Sequence, residues 1–343
     1  MRPSRRVTLA APPPDPFGER RRLPFHAQMR LLGAPFEFET NSSELLRLIH
    51  QAYQGLPAHR FTDSRRRLRI SLILAPRSRL SQRSRKEPQL VQPLAGGEIL
   101  CGAVAGGSFA AMTPQQRSAL IVVAHELLRF RHHVRYELLE FTVYVLAARA
   151  QRLLPLHAGC IGHAGQGALL LGASGSGKST LVLHGLLSGL DFLAEDSVLV
   201  KPQSLQATGV ANFVHVRPNS LRFLTPAARH SLLQRSAPIL RRSGVQKLEI
   251  DLRGAGYRLA PAPLRIRAVV FLSSRSTGGS RGSLLTSLST ETMLRRLAAS
   301  QRYAAQQPGW SRFCARLAPL PAYELRRGAH PLAGVTALRE LLA

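Results

Sequence analysis

The sequence predicts an α/β fold in two parts, a larger α/β domain over 151–343 and a smaller α+β domain over 26–150, and three observations carry that expectation. From Leu154 onward short apolar strand signals alternate with helical periodicity, the order expected of an α/β core. Inside that alternation a glycine-rich turn, opening at Gly172, joins an apolar run to a helix-like one. Upstream of residue 150 the signals are mixed and the alternation is absent. A chain of 343 residues has room for both parts, because a single core stops growing efficiently beyond about 250 residues.

Taken in order, residues 1–25 carry Pro12, Pro13, Pro14, Pro16 and the run Arg20, Arg21, Arg22. Such a composition buries too little apolar surface to offset ordering, so a disordered basic tail is expected. The tail lacks the apolar region and small-residue cleavage site of a secretory signal, and no run approaches the roughly 18 apolar residues of a membrane span. The expected compartment is the cytoplasm, with no membrane partner. In the smaller domain 36–40 reads as a strand, Asn41 or Ser42 caps a helix that runs to Gln54, and 68–75 alternates as a strand. Between Pro76 and Pro93 lie Arg77, Arg79, Arg83, Arg85 and Lys86, a surface loop that is either solvated or turned to an acidic partner. His125, Glu126, His132 and His133 fail the H-E-x-x-H zinc pattern, since Arg129 stands where its second histidine belongs, and a satisfied or exposed histidine cluster is the expectation instead. Residues 136–150 are apolar nearly all round, which predicts a helix buried between the two domains. In the larger domain strands are expected at 156–161, 168–171, 192–194, 198–200, 213–216, 247–251 and 268–272, and helices at 178–188 and 331–342.

The formal charge of +28 would ordinarily point to nucleic acid. Of 47 basic residues, however, only Lys86, Lys178, Lys201 and Lys247 are lysines, in a chain heavy in Ala, Leu, Pro and Gly. That bias looks like a GC-rich coding background in which Arg serves wherever a generic cation suffices, and it makes each lysine informative. Nucleic acid is therefore disfavoured as a partner. Cys101, Cys160 and Cys314 are scattered and odd in number, which supports neither a disulfide framework nor a structural zinc site.

The run Gly172, Ala173, Ser174, Gly175, Ser176, Gly177, Lys178, Ser179, Thr180 matches G-x-x-x-x-G-K-[ST] in full. Each position has a chemical reason. Glycines let main-chain N–H groups turn onto phosphates, the helix N-terminus adds partial positive charge, Lys178 reaches the β/γ-phosphates and Ser179 ligates Mg²⁺. A plain Gly/Ser turn between strand and helix is the bland alternative, and the strand and helix signals on either side weigh against it. The acidic pair Glu195-Asp196 falls only 18 residues after Lys178, so one helix and one strand must return it to the phosphate site. There is no L-S-G-G-Q element and no N-K-x-D motif, which disfavours ABC-type ATPases and GTPases.

Four features in order resemble the HPr kinase/phosphorylase superfamily: Leu156-His157-Ala158 ahead of the loop, the loop itself, Glu195-Asp196, and Asp251-Leu252-Arg253-Gly254-Ala255-Gly256, which looks like the family's E-[IV]-R-G-x-G signature. The resemblance covers roughly 150–275 and implies an HPr-kinase-like (PEP-carboxykinase-like) P-loop domain. It also implies a Mg²⁺/ATP-dependent kinase acting on a hydroxyl, a serine of a protein or peptide, with the smaller domain helping to recognise the acceptor. By resemblance Glu195 is the base, Asp196 the Mg²⁺ ligand, Asp251 the holder of a second metal, and His157 a contact to the γ-phosphate or a group that positions the base. A structural His157 remains the alternative. Arg253 could clamp phosphate charge, although in an arginine-rich chain it proves little alone. The resemblance leaves room for a homo-oligomer and for phosphorylase activity, neither encoded in these residues.

Two positions depart from the family pattern, Glu195 where it has Asp and Asp251 where it has Glu, and Glu249 on the same strand face is a candidate substitute ligand. One methylene matters to catalytic geometry. A nucleotide-binding regulatory module with little transfer is therefore the second reading, and a nucleic-acid-stimulated ATPase the third.

Overall fold

The computed structural model describes residues 22–61, 66–76, 90–104, 107–240, 244–276 and 284–343. Of the expected tail over 1–25, residues 1–21 lie outside the described residues and Phe25 already opens a strand; of the expected loop between Pro76 and Pro93, residues 77–89 lie outside them and Gln92 opens another strand.

The first part is built on a seven-stranded sheet. Phe25–Leu31 (β1) and Ala34–Thr40 (β2) form a hairpin whose turn, Leu32-Gly33, holds both residues at positive φ, 50° and 88°. Ser43–Tyr53 (α1) follows, with the Ser42 hydroxyl accepting from the Leu45 amide. Its buried Leu45, Leu48, Ile49, Ala52 and Tyr53 recur at the i, i+3, i+4, i+7 spacing of one helical face. Leu68–Leu74 (β3), Gln92–Gly96 (β4), Ile99–Val104 (β5), Ser108–Thr113 (β6) and Ser118–Val123 (β7) complete the order β1-β2-β3-β7-β6-β5-β4, with β2, β3 and β7 mutually parallel. After a 3₁₀ turn, His125–Phe130, the chain makes Arg131–His133 (α2), a π-helical stretch Val134–Glu140 and Phe141–Ala150 (α3). The helix expected over 136–150 thus starts earlier and is widened in its middle, the form in which helices often carry a functional side chain. It buries Leu138, Leu139, Val143 and Leu146 in the first core, and Arg135 as well.

The second part is a nine-stranded sheet sandwiched by helices. Its strands are Leu154–Leu156 (β8), Gly159–His163 (β9), Gln166–Leu171 (β10), Asp191–Ala194 (β11), Val198–Val200 (β12), Gln206–Thr208 (β13), Leu264–Ser276 (β17), Leu285–Ser287 (β18) and Ala322–Arg327 (β19). The order is β11-β9-β10-β17-β13-β12-β8, and β19 lies parallel to β17 with β18 against it. Phe213–Val216 (β14), Ser236–Leu240 (β15) and Gln246–Asp251 (β16) form a separate three-stranded sheet, order β14-β16-β15. The helices are Lys178–Leu187 (α4), Pro226–Gln234 (α5), Thr290–Ser300 (α6), Arg302–Ala305 (α7), Trp310–Leu317 (α8) and Pro331–Leu342 (α9), with Pro218–Phe223 a 3₁₀ turn. Alternation along β10 explains the layering. Leu169 and Leu171 pack with Met293, Leu297, Phe313 and Leu317 of α6 and α8, while Ala168 and Leu170 pack with Val182, Leu186, Val335 and Leu338 of α4 and α9.

One expected strand, 156–161, is two. β8 ends at Leu156 and pairs with β12, and β9 starts at Gly159 and pairs with β10 and β11, so the chain changes partners at His157-Ala158. The Gln301 side chain stands in for a neighbouring strand: its Oε1 accepts from the His157 amide at 2.8 Å and its Nε2 donates to the His157 carbonyl at 3.0 Å. A side-chain amide has the donor and acceptor of a peptide group, so the gap in the sheet leaves no main-chain group of His157 unpaired.

Candidate functional site

Topology brings the candidate residues to one edge. β10 and β11 both run antiparallel to β9, which lies between them, so the C-terminal ends of β10 and β11 and the N-terminal end of β9 meet on the same side. The glycine-rich loop leaves β10 there, Glu195-Asp196 leaves β11, and His157 enters β9. Gly159 permits this convergence. A Cβ on it would stand 3.0 Å from the Glu195 carbonyl oxygen and from Val182 Cγ2, and 3.5 Å from Lys178 Cγ.

Within the loop Gly175 and Gly177 have φ of 83° and 96°, values that side-chain-bearing residues rarely adopt, and Gly177 caps α4 in the left-handed conformation. The Gly172 Cα lies so close to the Ser176 side chain that an added Cβ would collide with it. Ser176 is buried and its hydroxyl has no hydrogen-bond partner, an orphan polar atom inside the cradle. The curled loop, that hydroxyl and the N-terminus of α4 together suit phosphate oxygens.

The ionisable residues fall into two sets. Lys178, buried at the start of α4, places Nζ 2.5 Å from Asp196 Oδ1 and 3.5 Å from His157 Nε2, and His157 Nδ1 lies 3.4 Å from the same Asp196 oxygen. Asp196 is about a third exposed and the His157 ring is largely exposed, with side-chain values of 34% and 63%, so this set opens to solvent. Partial burial lowers the His157 pKa, with the Lys178 charge working the same way and Asp196 opposing, which favours the neutral imidazole.

Glu195 forms the second set. Its Oε1 accepts from the Ser179 hydroxyl and lies 3.8 Å from Lys247 Nζ, and its Oε2 accepts from the His215 amide at 2.8 Å, with His215 Nδ1 3.5 Å away. Only 5% of Glu195 is exposed. Burial alone would push its carboxyl up; hydrogen bonds and charge from His215, then Lys247 and Ser179, override burial and hold it near about 2. Glu195 is therefore an anion at neutral pH, tied to Ser179.

The remaining expected residues are placed as follows. Thr180 Oγ1 shares a hydrogen bond of 2.8 Å with Ser220 Oγ, and beyond it lies a cavity of about 350 Å³ lined in part by Gly175, Gly177, Arg217, Arg222, Phe223 and Arg327. Ser174 is exposed in the loop. Asp251 is not brought into either set: Arg253 donates to it from Nε at 2.9 Å, from Nη2 at 2.7 Å and from its amide at 3.0 Å, while the same guanidinium reaches the Gln54 carbonyl. That grip holds the Asp251 carboxyl below its usual range against a burial effect of opposite sign. Glu249, the candidate substitute ligand, is likewise occupied, by Arg135 and His215.

Several residues at the site escaped the sequence reading. Gln301 had no signal, since it comes from a helix end 144 residues beyond His157. Lys247 had one, being among four lysines in the chain. His132, read as a member of a satisfied or exposed histidine cluster, does have partners: its Nδ1 lies 3.0 Å from Arg135 Nη2 and 3.4 Å from Glu249 Oε2.

Among the described residues no helix is long and apolar enough to cross a membrane. No family model matches the chain, and no curated protein matches it. Among solved structures, the HPr(Ser) kinase/phosphatase from Coxiella burnetii is similar over 54% of this chain and 94% of that one, at 14% identity and a TM-score of 0.27.

Proposed function

We propose that the chain is a Mg²⁺/ATP-dependent kinase that phosphorylates a hydroxyl, a serine of a protein or peptide, in the cytoplasm. One observation supports this most: a complete phosphate loop has Lys178, Asp196 and His157 gathered within hydrogen-bond range at its open side, while Glu195 holds Ser179 at its closed side. Phosphoryl transfer asks for little more than aligned oxygens, charge neutralisation and a group to take the hydroxyl proton.

In this reading main-chain amides of Gly175 to Lys178 and the Ser176 hydroxyl hold the phosphates, with Ser174 and Thr180 at the rim. Arg217, Arg222 and Phe223 line the space into which the nucleoside extends. Ser179 and Glu195 would hold Mg²⁺, which neutralises phosphate charge when bound. Asp196 accepts the proton of the incoming hydroxyl, whose oxygen forms a bond to the γ-phosphorus as the bond to the β,γ-bridging oxygen breaks, leaving ADP. Lys178 moves from Asp196 toward the phosphates, and His157, neutral, orients Asp196.

This assignment exchanges the two carboxylates relative to the roles implied by resemblance. The carboxylate bonded to the Ser179 hydroxyl stands on the metal side, and that is Glu195; the one facing the lysine and open to solvent stands on the acceptor side, and that is Asp196. It also leaves Asp251 to Arg253. Incubation with γ-labelled ATP, Mg²⁺ and the proteins encoded beside this chain tests the function. Acid-stable, alkali-labile label on a partner is expected; binding of ATP with no transfer to any of them would favour a regulatory module instead.

A further inference from the structure

Behind Glu195 a chain of buried polar groups leads out of the phosphate site and into the first part of the protein. β14 and β16 pair so that His215 stands opposite Glu249. His215 Nε2 is 2.9 Å from Glu249 Oε2, and both oxygens of Glu249 lie 2.6 Å from Arg135 Nη2. Arg135 Nη1 donates to Glu140 at 2.9 Å, and its guanidinium packs over the Phe213 ring, 4.3 Å from the centroid. Tyr136 meets the His215 ring edge to face at 5.9 Å. Arg135 is 1% exposed, the largest fully buried side chain described.

Such a cluster is a poor way to stabilise a junction. Replacing a buried ion pair by packed apolar residues of similar volume is commonly neutral or stabilising, because desolvation consumes most of the Coulombic gain. What the charges do supply is direction: a carboxylate saturated on one side by Arg135 fixes the imidazole, and the imidazole and its own amide fix the Glu195 carboxylate against Ser179. The route from Glu195 to the first part runs through His215, Glu249 and Arg135, whereas its other described partners, Ser179 and Lys247, belong to the second part.

We propose that His215 and Glu249 are positioning residues for Glu195, and that Arg135 carries the alignment of the metal-side carboxylate from the π-helical stretch of the first part to the phosphate loop. This rests on the reading of Ser179 and Glu195 as the metal side. The first part of the chain is then a component of the nucleotide site as well as a neighbour of it, and displacement of its π-helical stretch loosens Mg²⁺ binding without touching the loop that holds phosphates.

The test measures ADP binding to the full chain by calorimetry, with Mg²⁺ titrated and then chelated. Glu249→Gln raises the Mg²⁺ concentration required for half-maximal binding by about tenfold, the scale of one lost charge-assisted hydrogen bond, and leaves metal-free ADP affinity unchanged. Because that variant leaves Arg135 short of a partner and can lower thermal stability, the pair Arg135→Met with Glu249→Leu is measured beside it. The pair regains the thermal midpoint but keeps the raised Mg²⁺ requirement. A pair with the Mg²⁺ requirement of the unmodified chain would show the cluster to be structural only and overturn the inference, with the kinase reading untouched. An unmodified chain that binds no ADP would overturn both.

Discussion

Asp196→Asn should separate binding from turnover in opposite directions. In the free protein the Lys178 ammonium is already satisfied by Asp196 Oδ1 at 2.5 Å, so a triphosphate must compete with that carboxylate for it. Unit charges 4 Å apart attract by about 4 kcal/mol at an effective dielectric of 20. Asp196 is a third exposed, and solvent screening brings the net value of such a pair nearer to about 1 kcal/mol. Removing the charge while keeping the shape frees the ammonium and removes an anion from beside the phosphates. Metal-free ATP affinity, read by calorimetry, should therefore rise by about fivefold. Transfer should fall by about 10²- to 10⁴-fold, the usual contribution of a positioned general base. Glu195→Gln is the matched control: it should leave metal-free affinity alone and weaken the Mg²⁺-dependent part. An Asp196→Asn protein that bound ATP more weakly and kept turnover within about threefold would refute the division of labour between the two carboxylates.

Three other outcomes are expected. Lys178→Ala should lower ATP affinity by about 10- to 100-fold, one or two charge-assisted hydrogen bonds to phosphate, with thermal unfolding close to that of the unmodified chain. Gln301→Leu strips both hydrogen bonds from the His157 main chain, so transfer should fall while ADP affinity holds; equal loss of both would mean that the sheet edge itself had collapsed. His184, on α4, is nearly inaccessible, its Nε2 has no partner, and burial with help from His330 lowers its pKa to about 4. The unfolded value is near 6.5, so the unfolded chain binds the extra proton first: the contribution is intact above about pH 6.5 and is lost as pH falls toward 4, by up to about 3 kcal/mol. Denaturant titrations at stepped pH should show that slope, and His184→Leu should flatten it.

Much of the frame was legible because it is written in local pattern. The Ser42 cap and the spacing of Leu45, Leu48 and Ile49 mark α1, and the apolar run into Gly172 marks β10, without reference to distant residues. The strands β4 and β5 were not read, since Gln92–Gly96 is exposed throughout and the run after Ile99 is small and weakly alternating. The site divided the same way. Lys178, Ser179, Glu195 and Asp196 are close in sequence and announced themselves by spacing, whereas Gln301, His215 and Arg135 reach the site only through the fold and carry no spacing to read. The strand break at His157 belongs to the second kind: an apolar run with one histidine looks continuous until a remote glutamine supplies the partner its main chain needs.

The short interval between Lys178 and Asp196 follows from the geometry of the return. α4 carries the chain away from the loop over 10 residues, about 15 Å at 1.5 Å per residue, and β11 with its flanking residues brings it back along the sheet at about 3.3 Å per residue, so a few extended residues suffice. Nothing longer is needed to bring a carboxylate to the first turn of the same helix. But β11 is not adjacent to β10; β9 lies between, which sets the two strands about 10 Å apart. A residue at the end of β11 must therefore reach across the mouth of β9, over the gap that Gly159 leaves open, to meet Ser179. Glutamate has the longer arm for that span, and its extra methylene, a departure when judged by sequence alone, fits the proposed role of Glu195 beside Ser179. Asp196, next in the chain, points the other way and needs only a short arm to meet Lys178.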